Sequence, residues 1–291
     1  MTERSDEQAQ SGPGEFRDVV DVHLLDEELM LAARVVRAPS QGSAHVMAVV
    51  LADGEPIAEI AQDIGAVDSW ELAPAGPLRL TVEEPLERWT LSLDTQGVEV
   101  SLDLNTLTTP ADLAEPGTAA IGRAAGLHRY AQLCEARGHA VVGGRRRAVE
   151  AMAVRTHRWG PVGAAGRTRF VTAASEDGTL LTLAAVQPTD AAAHDEELLG
   201  GYTIRAADGP GMEAVPFETV RLSTVFDDQG LPLKAGAELF RPGDELPSRL
   251  GGLAVARMTG ARDGERVSVT LFRFGLDGVP ALGCYEIEAA S

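Results

Sequence analysis

The sequence has 291 residues and a formal net charge of −19 at pH 7. So acidic a chain repels phosphate backbones and anionic lipids, which argues against nucleic acid or a membrane surface as its partner. Its two cysteines, Cys134 and Cys284, lie far apart and no CxxC or Cys/His cluster occurs, so neither a disulfide framework nor a zinc or iron–sulfur site is expected.

The first fifteen residues are polar and include Gly12, Pro13 and Gly14. They contain no apolar core of a signal peptide, and no apolar run in the chain approaches the roughly 20 residues of a membrane span. We therefore predict a disordered tail over 1–15, no membrane span and a soluble, cytoplasmic protein.

Apolar residues alternate with polar ones along most of the chain. In 88–94, Trp89, Leu91 and Leu93 share one face of a strand, and after a turn at Gly97 the same alternation continues over 98–104. Similar patterns occur at 18–24, 29–36, 45–51, 167–173, 179–186, 265–274 and 281–287. The sequence predicts an all-β fold of short antiparallel hairpins, a sandwich or a barrel.

The segment 109–117 contains Pro110 and Pro116 and is typical of a connection, whereas 112–125 could hold a turn or two of helix. The strand pattern is alike on both sides of this connection. We predict two similar β domains, an N-terminal one over 16–145 and a C-terminal one over 146–291.

Sequence motifs for common cofactors are absent. There is no GxGxxG between a strand and a helix, no P-loop, no HExxH and no GxSxG. We expect no nucleotide, metal or other cofactor.

The segment 155–160 reads Arg-Thr-His-Arg-Trp-Gly, and in a strand Arg155, His157 and Trp159 project to one face. An imidazole transfers protons near neutral pH, and a guanidinium holds a carboxylate or a developing oxyanion. An indole stacks on a polyene or faces a cation. The alternative is a cation–π pair that only fills the end of a barrel.

These residues have a counterpart in a known family. Tyr130-Ala131-Gln132, glycine turns at Gly138 and 143–144, and the 155–160 motif resemble the hallmark region of the AttH and carotenoid 1,2-hydratase-like superfamily, which includes Diels–Alderase-type cyclases. Residues 283–286, Gly-Cys-Tyr-Glu, resemble its closing strand. The family's Asp and Ser are replaced here by Thr156 and Arg158, and the lost Asp is the natural acid of a hydratase.

The resemblance implies two lipocalin-like β-barrel domains in tandem that hold an elongated hydrophobic small molecule without a cofactor. It implies a cofactor-free cyclase or isomerase, for example of a [4+2] type, acting on a polyene or polyketide intermediate. Its catalytic residues would be Tyr130, Arg155 and His157. Its substrate-binding residues would be Gln132, Trp159, Tyr285 and Glu286.

Two other functions stay open. A lipocalin-like carrier would need only a cavity, with the same residues closing it. A hydratase-type acid–base enzyme would need a carboxylic acid in the pocket in place of Thr156, from Glu150, Glu286 or Glu288. The sequence does not predict an oligomeric state.

Overall fold

The computed structural model describes residues 2–70, 76–95, 97–114, 118–163, 165–189, 191, 197–205, 214–262 and 265–290. Strands dominate it, which confirms the predicted all-β fold. In chain order the strands and the helix are β1 (Phe16–Leu25), β2 (Leu29–Ala38), β3 (Ser43–Ala52), β4 (Glu55–Ile64), β5 (Leu78–Glu84), β6 (Arg88–Thr95), β7 (Val98–Thr106), β8 (Ala111–Asp112), α1 (Ala119–Ala125), β9 (His128–Val142), β10 (Arg145–Pro161), β11 (Arg167–Ser175), β12 (Thr179–Gln187), β13 (Leu198–Arg205), β14 (Val215–Pro216), β15 (Thr219–Phe226), β16 (Pro232–Phe240), β17 (Ser248–Arg262), β18 (Glu265–Leu276) and β19 (Val279–Ala290). Short 3₁₀ helices span Arg4–Glu7 and Pro39–Gln41.

The chain divides into two compact units. The first contains Met1–Pro110 and Arg129–Val162, and the second contains Ala111–His128 and Gly163–Ser291. Each unit is built on a curled antiparallel sheet that forms a half-barrel.

The sheet of the first unit has the strand order β4-β3-β2-β1-β10-β9-β7-β6-β5. Its inner face carries the apolar residues of the predicted alternation. Along β7, for example, Val98, Val100, Leu102 and Leu104 are buried while Glu99, Ser101 and Asp103 are exposed. Together with residues from the other strands they form one hydrophobic core.

The sheet of the second unit has the order β14-β13-β12-β11-β19-β18-β17-β16-β15. The two topologies match strand for strand, because in each sheet the last strand of the unit returns to pair with its first. Val171, Leu183, Phe272 and Tyr285 belong to the core inside this second half-barrel.

The predicted domain boundary between residues 145 and 146 does not match this division. β10 pairs with β1 from Phe16 opposite Pro161 to Leu25 opposite Met152, so it completes the sheet of the first unit. Residues 111–128 precede β10 in the chain but belong to the second unit.

The structure also differs from the prediction of a disordered tail over 1–15. Residues Arg4–Glu7 form the first 3₁₀ helix, and the side chain of Glu7 is buried. The reason is a set of hydrogen bonds to residues far along the chain, described below.

The helix predicted within 112–125 forms over Ala119–Ala125 and ends at Gly126, whose φ of 62° suits a residue without a Cβ. Residues 115–117 lie outside the described residues. Among the residues that the structure describes, no helix is long and apolar enough to cross a membrane.

Candidate functional site

The strand β10 carries the motif predicted from the sequence. It lies between β1 and β9, and its residues 153–158 are buried on both faces. Arg155 and His157 point to the interior of the first half-barrel, in register with Val22 and Val20 of β1. Thr156 faces the opposite side and donates a hydrogen bond to Asp21 (3.1 Å).

Arg155 is held by four side chains. Its Nη1 donates to Glu7 Oε1 (2.6 Å) and to the Tyr130 hydroxyl (3.3 Å), and its Nη2 donates to Gln132 Oε1. The guanidinium lies over the rings of Trp89 (4.7 Å to the centroid) and Tyr130 (5.4 Å). We call Glu7, Asp18, Tyr130, Gln132, Arg155 and His157 the Arg155 cluster.

Glu7 is the counter-ion of Arg155. Besides the ion pair, its carboxylate accepts hydrogen bonds from the Tyr130 hydroxyl and from Trp89 Nε1 (2.6 Å). Burial would raise the pKa of Glu7, but the charge of Arg155 and the hydrogen bonds from Tyr130 and Arg155 hold this pKa below its usual value. Glu7 is therefore ionised at neutral pH.

A chain of polar contacts links Tyr130 to the other side of the cluster. The Tyr130 hydroxyl lies 3.2 Å from His157 Nδ1, and His157 Nε2 donates to Asp18 Oδ1 (2.6 Å). Asp18 also accepts a hydrogen bond from Arg37. The Asp18 carboxylate fixes the orientation of the His157 imidazole through this hydrogen bond.

Burial raises the pKa of Tyr130 well above its usual value, and the Glu7 carboxylate raises it further against the lowering effect of Arg155. Burial would lower the pKa of Arg155, but Glu7 and Tyr130 raise it above its usual value. The cluster thus combines a permanent cation, an ionised carboxylate and a protonated phenol.

Aromatic rings surround the cluster. The rings of His157 and Trp159 are 4.8 Å apart, and Tyr130 meets Trp159 edge-on at 6.2 Å. The ring centroid of Trp70 lies 6.1 Å from that of His157 and 6.5 Å from that of Trp89. All three tryptophans of the chain therefore lie in the first unit.

Five of the seven predicted site residues come together in this cluster and its aromatic wall: Tyr130, Gln132, Arg155, His157 and Trp159. Gln132 also donates to the carbonyl oxygens of Leu86 and Thr108 (both 3.1 Å), so it ties the cluster to the backbone. Tyr285 and Glu286 lie on β19 in the second unit and are not part of it.

The carboxylates suggested as replacements for the family's Asp do not lie in the cluster. Glu150 is 74% exposed at its side chain, and Glu286 and Glu288 belong to β19. The carboxylates present are Glu7 and Asp18, which the sequence analysis did not single out. The sequence pattern marks Asp18, because it is a charged residue on the inward face of β1, where the residues that follow it are apolar. No sequence pattern marks Glu7.

The second unit contains a pocket of about 720 Å³ where β11 begins and β19 ends. Arg169 lies on the wall of this pocket. Its Nε donates to Glu197 Oε1 (2.8 Å), and its Nη1 donates to the Tyr285 hydroxyl (3.0 Å) and so holds the Tyr285 side chain in place. We call this the second-unit pocket. Its lining residues include Arg167, Arg169, Gln187, Glu197, Leu222, Phe226, Leu231, Arg266, Val267, Ser268, Ile287 and Ala289.

Arg167 differs from Arg169 in its surroundings. Its guanidinium lies over the ring of Phe226 at 5.2 Å, and it pairs with no carboxylate among the described residues. Burial lowers the pKa of Arg167, and the nearby Arg169 lowers it further. A carboxylate bound here would relieve both effects.

Comparisons with known proteins agree with this architecture. The sequence pattern of a domain of unknown function, DUF7064, matches residues 18–290. The chain belongs to the DUF7064 family. Apart from the first two residues of β1, the match includes every strand of both half-barrels, but no residue of the segment that carries Glu7.

This DUF7064 protein is similar in structure to a candidate AttH from Nitrosomonas europaea, known from a crystal structure. The TM-score is 0.62 at 12% sequence identity, and the similarity covers 94% of this chain and 92% of that one. It confirms the AttH-like double lipocalin-like fold implied by the motif. No curated protein matches the sequence.

Proposed function

We propose that this chain binds an elongated, mainly apolar small molecule with a carboxylate or similar anionic end, and that the second-unit pocket is where it binds. The observation that carries the proposal is Arg167, a partly buried cation without a carboxylate partner among the described residues, on the wall of a pocket of about 720 Å³. Pockets for small molecules typically measure about 300–1,000 Å³.

The walls of the pocket suit an apolar body. Leu222, Phe226, Leu231, Val267 and Ile287 contribute aliphatic and aromatic surface from four different parts of the unit. Burying the hydrocarbon part of a ligand against them would provide about 25 cal/mol per Å² of apolar surface removed from water.

The charge of the pocket selects an anion. Among the described residues three arginines, Arg167, Arg169 and Arg266, line it against one carboxylate, that of Glu197, in a chain whose net charge is −19. Arg169 is already paired with Glu197, so Arg167 is the residue that would hold the anionic end of the ligand. Ser268 and Gln187 offer further polar atoms beside it.

A fluorescent polyene acid, cis-parinarate, tests the proposal. We expect the wild-type chain to bind it, and Arg167→Gln to weaken binding about tenfold or more, because a charge-assisted hydrogen bond contributes about 1.5–3 kcal/mol. The methyl ester of parinarate should bind the wild-type chain weakly, and Arg167→Gln should bind the ester with the same affinity as wild type. Arg249→Gln is the matched control, since Arg249 is exposed in the same unit and outside this pocket.

Equal affinity of wild type, Arg167→Gln and Arg249→Gln for parinarate would contradict the proposed pocket. Equal affinity of the acid and its ester for the wild-type chain would contradict the proposed anionic end.

A cofactor-free cyclase or isomerase is the second candidate, and the Arg155 cluster favours it. If a substrate carbonyl took the place of the Glu7 carboxylate, Tyr130 would donate a hydrogen bond to it, with His157 beside its hydroxyl and Trp159 as a wall. Restriction of the substrate would supply much of the rate enhancement. A hydratase is less well supported, because Glu7 has a lowered pKa and is no proton donor near neutral pH.

The test is cyclisation of a linear triene tethered to an unsaturated carbonyl. A cyclase would form product faster than the uncatalysed reaction, and Tyr130→Phe would slow it by about 10²-fold or more if the hydroxyl stabilises the transition state. Product formation no faster than the uncatalysed rate, in wild type and Tyr130→Phe alike, would contradict this second candidate.

A further inference from the structure

We infer that the first unit contains a binding site for a small aromatic carboxylate, and that Glu7 of the chain itself occupies this site. The site is distinct from the second-unit pocket, which lies in the other unit.

The donors that meet Glu7 form an anion site in their own right. Arg155 Nη1, the Tyr130 hydroxyl and Trp89 Nε1 converge on the two oxygens of one carboxylate, and all three side chains are fully buried. A buried guanidinium without a counter-ion is strongly unfavourable, so some carboxylate must fill the position. Nothing in the chemistry of the donors requires that it come from residue 7.

The segment 2–15, which carries Glu7, lies mostly at the surface. Among residues 2–15, Glu7 alone is buried. The other side-chain contacts that hold the segment in place include the exposed Arg4–Glu87 pair (2.5 Å) and bonds from Gln10 N to Asp18 (2.8 Å) and from Arg37 to Gln10 O (3.1 Å). Ala9 is half-buried and packs against the hydrophobic core. An external carboxylate that displaces Glu7 would therefore break this contact and these few polar bonds.

Space and further donors are present beside Glu7. A cleft of about 250 Å³ is lined by Glu7, Ala9, Trp70, Val82 and Pro85, among others. The buried Nε1 of Trp70, which lines the cleft, has no hydrogen-bond partner among the described residues, so a ligand with an additional acceptor would find a donor there. Arg155 Nε, in the cluster that holds Glu7, likewise has none among the described residues. The indoles of Trp70 and Trp89 favour a flat, aromatic body.

Rescue of a variant tests whether an external carboxylate fits the site. Glu7→Ala should lower the Tm, and benzoate at roughly ten times its Kd should raise the Tm of this variant by about 3 °C. Benzamide, which has the same shape without the charge, should not. Glu15→Ala removes an exposed carboxylate of the same segment outside the 3₁₀ helix and should show neither the loss nor the rescue.

If Glu7→Ala does not fold by itself, its refolding yield with benzoate against benzamide gives the same comparison. An equal response to the acid and the amide would overturn the inference, as would an equal response of Glu7→Ala and Glu15→Ala to benzoate.

Hydrogen exchange of the wild-type chain tests displacement directly. Benzoate, and not benzamide, should accelerate exchange in the peptide 3–10, where the amides of Asp6 and Gln8 are bonded within the segment. The inference would be overturned if benzoate left the exchange of peptide 3–10 unchanged, even at concentrations that saturate the Glu7→Ala variant. Glu7 would then be a fixed structural ligand of Arg155. Neither result depends on parinarate binding in the second unit.

Discussion

Buried ion pairs occupy both faces of the β1–β10 pair. Glu7 with Arg155 and Asp18 with Arg37 lie on the inward face. On the opposite face Asp21 accepts hydrogen bonds from Arg34 Nε (2.5 Å) and Nη2 (3.2 Å), and both residues are fully buried. Desolvation makes such pairs costly to bury and far more costly to break.

Asp21 gives a prediction for acid stability. Burial would raise its pKa, but Arg34 lowers it to about 2 from the ordinary 3.8. Because the folded-state pKa is the lower one, the stabilisation is complete above pH 3.8 and is lost as the pH falls toward about 2. Asp21→Asn should cost about 3–5 kcal/mol at pH 7, and this difference from wild type should shrink below pH 3.8 in urea unfolding curves.

Asp63→Asn is the control, since Asp63 is exposed and pairs with the partly exposed His45 on the same sheet. A penalty for Asp21→Asn that stays constant from pH 7 to pH 2 would contradict the electrostatic explanation.

Some residues of the Arg155 cluster could be predicted from the sequence one by one. Alternation along a strand places Arg155, His157 and Trp159 on one face, and the resemblance added Tyr130 and Gln132. Glu7 was not predictable, because its contact with Arg155 spans 148 positions and no local pattern marks it.

At the scale of the element, alternation predicts which residues form strands and which face is buried, but not which strands pair. β10 has the pattern of a strand that could begin a second domain. Only its pairing with β1 assigns it to the first unit, and this non-local contact is why the boundary at 145/146 was wrong in position.

The closing strand β19 gives a prediction of its own. Gly283 lies opposite Ala173 of β11, and a Cβ at 283 would overlap the carbonyl oxygen of Thr172. Gly283→Ala should push the two strands apart and cost about 1–3 kcal/mol, measured by urea unfolding. Gly251→Ala on β17, where a Cβ meets open space, should change stability by less than about 0.5 kcal/mol.

If Gly283→Ala unfolds at the same urea concentration as wild type, the close approach of β11 and β19 at this position is not a constraint. The same result would weaken the interpretation of 283–286 as a closing strand that requires glycine.

At the scale of the molecule, two units of the same topology carry different interiors. The first is filled by the Arg155 cluster and its aromatic rings, whereas the second keeps a pocket with an arginine, Arg167, that has no carboxylate partner among the described residues. Sequence patterns predicted the tandem β architecture, and the comparisons confirm it. They could not show which unit carries the pocket of about 720 Å³, because cavity volume depends on how side chains from many strands pack.

Hydrogen exchange of the wild-type chain with and without saturating cis-parinarate shows which unit binds the ligand. We predict slower exchange in peptides from β11, β15 and β19, which line the second-unit pocket, and unchanged exchange in β9 and β10. Slower exchange confined to β9 and β10, with β11 and β19 unaffected, would contradict the claim and place the ligand at the Arg155 cluster instead.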